Sequence, residues 1–296
     1  MPIYAAVDIG SNSVRLLVAE YIKGKIKPLK TGLISTRLAA GASEGYLQAE
    51  AIARTVAAVR ELLDLALIYR PQGISLVATS AVREARNQKA FQRALWEATG
   101  REAVVLSGSE EARLGFYGAL AGLPVLVDRP AVFDLGGGST EFTWQQGSEL
   151  KTYSVPIGAV RCTEEDWELK RLQEILKPVL TELRLFRPSL LIGTGGTVTT
   201  LAALDQKLDV YDSRRTHGYL LTWQAVTAWL AKLTNASLAE RRRMPGLQPE
   251  RADIIVAGVR ILAVIMAGLE LNSITVSESD LLWGLILTAA GEGDQI

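Results

Sequence analysis

The sequence has only one cysteine, Cys162, and one histidine, His217, among its 296 residues. A single cysteine excludes an internal disulfide, and the two residues together are too few to form a zinc site of the usual His and Cys type. An isolated histidine is more often a core or turn residue than a catalyst, and we interpret His217 in that way.

Neither sign of charge is in excess, since 32 Lys and Arg residues balance 32 Asp and Glu residues. A neutral chain has no global positive field to attract nucleic acid or a membrane surface, so we expect neither as a partner. The longest apolar stretch, residues 254–271, is interrupted by Arg260, which favours a buried helix over a membrane span. With one cysteine and no signal-peptide pattern, the expected setting is the cytoplasm.

Strand-like and helical patterns occur twice in the same order, which predicts an α/β protein with an internal duplication. Gly and Pro residues over 122–130 predict a hinge between two domains, 1–124 and 125–296. Residues 223–290 look mostly helical, and a final helix at about 278–291 is expected to pack back on the first domain. In each half three strand patterns precede a long helix: residues 3–7, 14–21, 26–33 and 47–69, then 132–135, 141–144, 150–155 and 164–186.

Each half opens with an aspartate at the end of an apolar strand, followed by a glycine turn. The turns read D-I-G-S-N-S and D-L-G-G-G-S, and Asp8 and Asp134 are separated by the same 126 positions as Ser13 and Ser139 (134 − 8 = 139 − 13 = 126). Glycine lets backbone N–H groups approach a ligand closely, and converging N–H groups bind anions. An adjacent carboxylate can hold a metal ion against the same anion. The pattern indicates phosphate and Mg²⁺ chemistry.

Several stretches resemble the exopolyphosphatase and guanosine pentaphosphate phosphohydrolase family, within the actin-like ATPase superfamily. They are D-I-G-S-N-S-V, A-T-S-A-V-R-E-A, S-G-S-E-E-A-R-L, D-L-G-G-G-S-T-E, P-I-G-A-V-R, G-T-G-G-T, H-G and R-A-D-I-I-V-A-G, in order along almost the whole chain. The resemblance implies two ribonuclease-H-like domains facing each other across a cleft. Longer members carry an additional C-terminal helical domain, and since the sequence here ends after one more helix pattern, we expect a short form of the family. The sequence also reads S-D-L-L-W-G where many relatives have a basic and an acidic residue before the glycine.

Phosphoanhydride hydrolysis needs neutralised phosphoryl oxygens, a metal ion and a base that activates water. For the metal, Mg²⁺ or alternatively Mn²⁺, we predict Asp8, Asp134 and Glu141 as ligands. A third glycine turn, G-T-G-G-T-V-T-T at residues 193–200, resembles the second phosphate or adenosine loop of the superfamily. The predicted phosphate-binding residues are Gly10, Ser11, Asn12, Ser13, Gly136, Gly137, Gly138, Ser139, Gly195, Gly196 and Thr197.

The resemblance assigns the general base to the second acid of E-E-A, Glu111, with Glu110 as the less favoured neighbour. Ser107 or Ser109 can cap the following helix, which places both acids in its first turn, where the helix dipole favours negative charge.

Arg83, at the end of A-T-S-A-V-R, matches a family position that faces the phosphate, and a guanidinium binds phosphoryl oxygens bidentately. The alternative for Arg83 is a surface ion pair with Glu84 or Glu61. The runs at residues 23–30 (lysines) and 241–243 (arginines) are either tracks for a polyanion or, as we favour, solvated faces.

The resulting prediction is an exopolyphosphatase that releases terminal orthophosphate from inorganic polyphosphate. The alternatives are a guanosine pentaphosphate 5′-phosphohydrolase and a sensor that binds phosphate nucleotides without hydrolysis. A kinase is disfavoured because kinases place an aspartate near a substrate hydroxyl. A homodimer is expected only because such assemblies are common.

Overall fold

The computed structural model describes residues 1–42, 45–123 and 128–292. The chain divides into an N-terminal unit, Met1–Gly122 with Asp280–Ile296, and a C-terminal unit, Leu123–Ser279. The predicted boundary between residues 124 and 125 lies outside the described residues, as do residues 124–127 of the predicted hinge. The last segment of the chain, from Asp280 onward, belongs to the N-terminal unit.

The N-terminal unit contains a five-stranded sheet in the order β3-β2-β1-β4-β5. Strands β1, β2 and β3 are antiparallel neighbours, and β4 and β5 continue the sheet parallel to β1. The strands are β1 Ile3–Ile9, β2 Ser13–Ile22, β3 Lys25–Ser35, β4 Gly73–Ala78 and β5 Val104–Val105.

Helices cover both faces of this sheet. They are α1 Ala49–Leu67, α2 Ser80–Arg83, α3 Gln88–Thr99, α4 Gly108–Gly122 and, from the end of the chain, α12 Leu281–Leu287, which a π-helical turn Thr288–Glu292 extends. Because side chains alternate along a strand, Val7 and Ile9 pack with α1 and α3, whereas Ala6 packs with α4 and α12. Asp8 shares the parity of Ala6 and therefore lies on the face covered by α4 and α12.

The C-terminal unit repeats this topology in a six-stranded sheet, β10-β11-β9-β6-β7-β8. Strands β6, β7 and β8 form the antiparallel part, β9 runs parallel to β6, and β11 runs parallel to β9. The run β8-β7-β6-β9-β11 repeats the N-terminal order β3-β2-β1-β4-β5, and β10 is added at the edge beyond β11. The strands are β6 Pro130–Leu135, β7 Thr140–Gln146, β8 Glu149–Val155, β9 Leu190–Thr194, β10 Leu220–Thr222 and β11 Ser273–Val276.

Helix α11 of the C-terminal unit is largely buried, and its residues from Ile261 to Met266 are all at most 8% exposed. Among the described residues no helix is both long and apolar enough to cross a bilayer. The helices are α5 Ala159–Glu164, α6 Leu169–Phe186, α7 Gly196–Asp205, α8 Ser213–Thr216, α9 Trp223–Asn235, α10 Leu238–Arg241 and α11 Ile255–Gly268, with a 3-10 turn at Pro249–Arg251.

The structure confirms the prediction that residues 223–290 are mostly helical, but Ser273–Val276 forms strand β11 inside this segment, which was not predicted. The four residues read S-I-T-V, a run too short to show a period, and their β-branched side chains suit a strand. Parallel pairing of Thr275 with Ile192 and of Val276 with Gly193 decides the outcome, and this pairing is a tertiary contact.

Candidate active site

The first glycine turn joins β1 to β2, as the sequence predicts. The turn is closed by a hydrogen bond from the Gly10 N–H to the Ser13 carbonyl, 3.0 Å long. The Ser11 carbonyl accepts the Ala39 N–H, and the Asn12 carbonyl accepts two N–H groups from residues 36 and 37. Neighbouring backbone therefore binds the carbonyl side of the turn and fixes its orientation.

The N–H groups of this turn differ from its carbonyls in their hydrogen bonding. Within the described ranges, neither the Ser11 N–H nor the Asn12 N–H forms a backbone hydrogen bond. The Asn12 side chain is 7% exposed, and neither its Oδ1 nor its Nδ2 has a partner there. Since buried polar groups are normally paired, a turn with unpaired N–H groups and an unpaired buried amide has the chemistry of a ligand site.

The second glycine turn has the same geometry. The Gly136 N–H donates to the Ser139 carbonyl at 3.0 Å, as Gly10 does to Ser13. The carbonyls of Gly136 and Gly137 accept N–H groups from α5, and the Arg161 Nε donates to the Gly138 carbonyl at 2.8 Å. In the described part of the chain the N–H groups of Gly137 and Gly138 have no backbone acceptor, so this turn also leaves two donors unused by the backbone.

Two carboxylates accompany the second turn. Asp134 on β6 lies directly opposite Glu141 on β7 in the sheet register. Glu141 is 3% exposed, and its Oε1 accepts a hydrogen bond from the Ser154 hydroxyl at 2.7 Å. Cross-strand neighbours in an antiparallel pair lie close together, so this end of the sheet holds two acidic groups side by side.

The first turn differs at the equivalent position, where Asp8 lies opposite Arg15. Arg15 donates to Asp8 Oδ2 from Nε at 3.0 Å and from Nη2 at 2.7 Å, while its Nη1 contacts Asp280 Oδ2. The Asp8 side chain is almost fully buried, and its Oδ1 has no hydrogen-bond partner among the described residues. Burial raises the pKa of Asp8 above its ordinary value, the Arg15 guanidinium opposes that rise, and the Asp280 charge adds to it.

The third glycine turn lies beside the second, because β9 runs next to β6. A Cβ on Gly195, which has φ +93°, would lie 2.7 Å from Asp134 Oδ1, so only glycine fits here. Gly196 begins helix α7, and a Cβ there would overlap the guanidinium of Arg251. The structure therefore brings the second and third predicted phosphate turns to one end of the C-terminal sheet.

Glu111 and Arg83 lie together in the N-terminal unit. Arg83 Nη1 donates to Glu111 Oε2 at 2.7 Å and to the Leu106 carbonyl at 3.0 Å. Both side chains are largely buried, with 20% and 11% exposed. The alternative partner Glu84 instead accepts a hydrogen bond from the Ser80 hydroxyl.

Glu110 has a different local role from its neighbour. Its Oε2 accepts the backbone N–H of Ser107 at 2.8 Å and the Ser107 hydroxyl at 2.6 Å, while its own N–H donates to that hydroxyl. These reciprocal bonds form a capping box at the start of α4. They lower the pKa of Glu110, since both bonds favour the charged carboxylate. The structure thus separates the two adjacent acids into one that caps the helix and one that pairs with Arg83.

The residues predicted as metal ligands fit Mg²⁺ unequally. Mg²⁺ is commonly bound by one or two carboxylates, with water and substrate phosphate completing its oxygen shell. Asp134 and Glu141 supply such a pair, whereas Asp8 has one oxygen committed to Arg15. Among the described residues no three His, Cys, Asp or Glu side chains cluster in a way that could hold a metal ion by themselves.

A sequence profile of the Ppx/GppA phosphatase family matches residues 17–292. The chain belongs to this family. Exopolyphosphatase 2 of Mycobacterium tuberculosis is 32% identical over 313 residues, which cover 97% of this chain and 98% of that protein.

Two solved structures support the assignment. The Aquifex aeolicus member of the Ppx/GppA family matches with a TM-score of 0.82 at 28% identity, covering 99% of each chain. An exopolyphosphatase-like protein matches with a TM-score of 0.89 at 27% identity, covering 98% of this chain and 99% of its own. The family resemblance and the fold class of two actin-like α/β units are therefore confirmed, and the protein is a phosphatase.

Several residues next to the predicted site were not predicted from the sequence. Arg15 could have been found, because it lies 126 positions before Glu141 and so faces Asp8 as Glu141 faces Asp134 (141 − 15 = 126). Arg161 lies within the matched P-I-G-A-V-R stretch. The contact between Asp280 and Arg15 could not be predicted from the sequence, since the two residues are 265 positions apart. His217 receives the Glu278 N–H on Nδ1 at 3.1 Å, at a strand and turn junction.

Proposed function

We propose that this Ppx/GppA phosphatase removes terminal orthophosphate from inorganic polyphosphate, with Mg²⁺ as cofactor and Glu111 as general base. The observation that carries the proposal is the repeated glycine turn, whose carbonyls accept backbone hydrogen bonds while two N–H groups in each turn have no backbone acceptor among the described residues, in a chain related over 97% of its length to an exopolyphosphatase. A substrate made only of phosphate groups matches sites built from backbone donors.

Phosphate binding is assigned to the two turns. The N–H groups of residues 11 and 12 and the buried Asn12 amide would donate to phosphoryl oxygens in the N-terminal unit. In the C-terminal unit the N–H groups of Gly137 and Gly138 would do the same, with the third turn beside them. Donors fixed in advance stabilise charge on a phosphoryl group without reorganisation during the reaction.

The carboxylates divide into two groups in this proposal. Asp134 and Glu141 would hold Mg²⁺ directly, and Asp8 could contribute only through Oδ1. When bound, Mg²⁺ neutralises phosphoryl oxygens and stabilises the charge of the departing phosphate. Ser154 keeps the Glu141 carboxylate oriented through its 2.7 Å hydrogen bond.

The base and its partner lie in the N-terminal unit. Arg83 holds Glu111 Oε2 at 2.7 Å, which favours the charged carboxylate that a base requires. Glu111 would take a proton from water as the water oxygen attacks the terminal phosphorus. The bond to the bridging oxygen breaks, and that oxygen leaves with its electron pair on the shortened chain. The products are orthophosphate and a polyphosphate one unit shorter.

The test is a phosphate-release assay in which polyphosphates of several lengths, guanosine pentaphosphate and ATP are compared side by side, each with Mg²⁺, with Mn²⁺ and with chelator. We expect the highest kcat/KM on polyphosphate and loss of release in chelator. Preferential release from guanosine pentaphosphate would assign the alternative phosphohydrolase activity. Binding of either substrate without release would indicate a sensor, and release that persists in chelator would remove the metal from the proposal.

A further inference from the structure

Helix α12 meets the N-terminal unit at two places that matter for the proposed site. Its glycine, Gly284, packs against the backbone of α4, since a Cβ there would lie 2.1 Å from the Leu114 carbonyl oxygen. Its N-cap residue, Asp280, accepts the Leu282 N–H on Oδ1 at 3.0 Å and contacts Arg15 through Oδ2. One short helix therefore touches both the helix that carries Glu111 and the arginine that grips Asp8.

The cluster formed by Asp8, Arg15 and Asp280 has two carboxylates for one guanidinium. Both carboxylates are at most 7% exposed, and the guanidinium binds Asp8 along one edge and Asp280 at the other end. A planar guanidinium gripped on two sides cannot rotate, so the Asp8 carboxylate that it holds is also fixed. The oxygen left over, Asp8 Oδ1, then has a defined direction next to the glycine turn.

We propose that Asp280 is a positioning residue for the first phosphate turn, acting through Arg15 on Asp8. The inference rests on the proposed function for the role of the turn. The C-terminal turn is supported instead by α5 and Arg161. The role proposed for Asp280 therefore belongs to the N-terminal turn and is not part of the internal duplication.

The test variant is Asp280→Asn. Asparagine is as good an N-cap as aspartate, so the cap of α12 is kept, and removing one of two carboxylates from a cluster with one arginine leaves no unpaired charge. We expect the melting temperature to stay within a few degrees of wild type. We expect kcat/KM for phosphate release to fall about 10- to 100-fold, because small misplacements in an active site have effects of that size.

Asp212→Asn is the matched control. Asp212 also caps a helix, accepting the Arg214 N–H at 3.0 Å, and also pairs with an arginine, but it lies on the surface of the other unit. This variant should retain wild-type activity. Arg15→Lys keeps the charge but cannot grip two carboxylates, so it should reproduce the Asp280→Asn defect, and the double variant should be no worse than Arg15→Lys alone.

A second measurement separates the inference from the proposed function. Inorganic phosphate should raise the melting temperature of wild type by mass action, and about tenfold weaker binding in Asp280→Asn should reduce that rise. If wild type released no phosphate from any substrate but showed this difference, the proposed function would fail while the positioning role stood. Equal behaviour of Asp280→Asn and Asp212→Asn in both measurements would overturn the inference, as would a loss of stability with unchanged phosphate binding.

Discussion

The two Asp-Gly turns share one backbone design but carry opposite charge at one equivalent position. Asp8 faces Arg15, and Asp134 faces Glu141. In the N-terminal unit Asp8 is therefore paired with an arginine across the strands, whereas in the C-terminal unit the equivalent position holds a second carboxylate. A duplicated strand-turn-strand unit can thus keep its backbone hydrogen bonds while a single side chain reverses the charge beside the aspartate, and under the proposed function only the C-terminal unit would hold the metal ion.

The largest expected effect concerns the proposed base, Glu111, which lies in the N-terminal unit. Glu111→Gln should lower kcat by about 10² to 10⁴-fold, because an amide cannot accept the proton of the attacking water. Glu110→Gln is the control, since Glu110 caps α4 and points elsewhere. Single-turnover phosphate release from both variants checks the assignment. Equal rates would remove the special role of Glu111, and a larger loss at Glu110 would transfer it.

The next effect addresses the charge difference between the turns directly. Asp134→Asn and Glu141→Gln should each raise the half-saturating Mg²⁺ concentration by about 10- to 100-fold, whereas Asp8→Asn should change it less. Direct binding of Mn²⁺, followed by electron paramagnetic resonance, gives the same comparison without turnover. Equal losses of cation affinity for all three variants would mean that the turns are equivalent toward the metal.

A third prediction concerns what supports each turn. Gly158→Ala would place a Cβ 2.3 Å from the Gly137 carbonyl oxygen, so the second turn must shift. Overpacking of this kind costs about 1–3 kcal/mol, and we expect weaker phosphate binding as well. Gly115→Ala in α4 meets no atom within 4 Å and should stabilise by about 0.5–1 kcal/mol through helix propensity. Urea unfolding measures the free energy of unfolding of both variants. Similar values for the two would contradict this prediction.

The smallest effect is a pH dependence confined to the first turn. Burial raises the pKa of Asp8 in the folded state, so its contribution to stability is present at low pH and is lost as pH rises through that raised pKa. The Asp8→Asn variant has no carboxylic acid at this position, so it does not lose stability in this way as pH rises. Its unfolding free energy should therefore increase relative to wild type as pH rises above about 4, the ordinary range of aspartate. A constant difference between pH 4 and 7 in urea titrations would show that Arg15 fully offsets the burial.

Local sequence determined the parts of this protein that depend on neighbouring residues. Alternating apolar runs ended by Asp-x-Gly gave both strand-turn-strand units, and their common spacing gave the duplication, because pleat and turn geometry are short-range properties. The sequence also predicted Asp134 and Glu141 as a pair of acids flanking the second turn, and the structure places them opposite each other. The E-E-A segment after Ser107 also indicated a helix start, although it could not say which acid would form the cap.

Only the tertiary structure decided which groups meet across long separations. Strand β11 exists because Thr275 and Val276 pair with β9, and Asp280 reaches Arg15 because α12 packs on the sheet face that carries Asp8. Glu111 differs from Glu110 because Arg83, 28 positions earlier, lies beside one and not the other. Such contacts depend on how sheets and helices pack, and packing joins residues whose separation in sequence leaves no periodic trace.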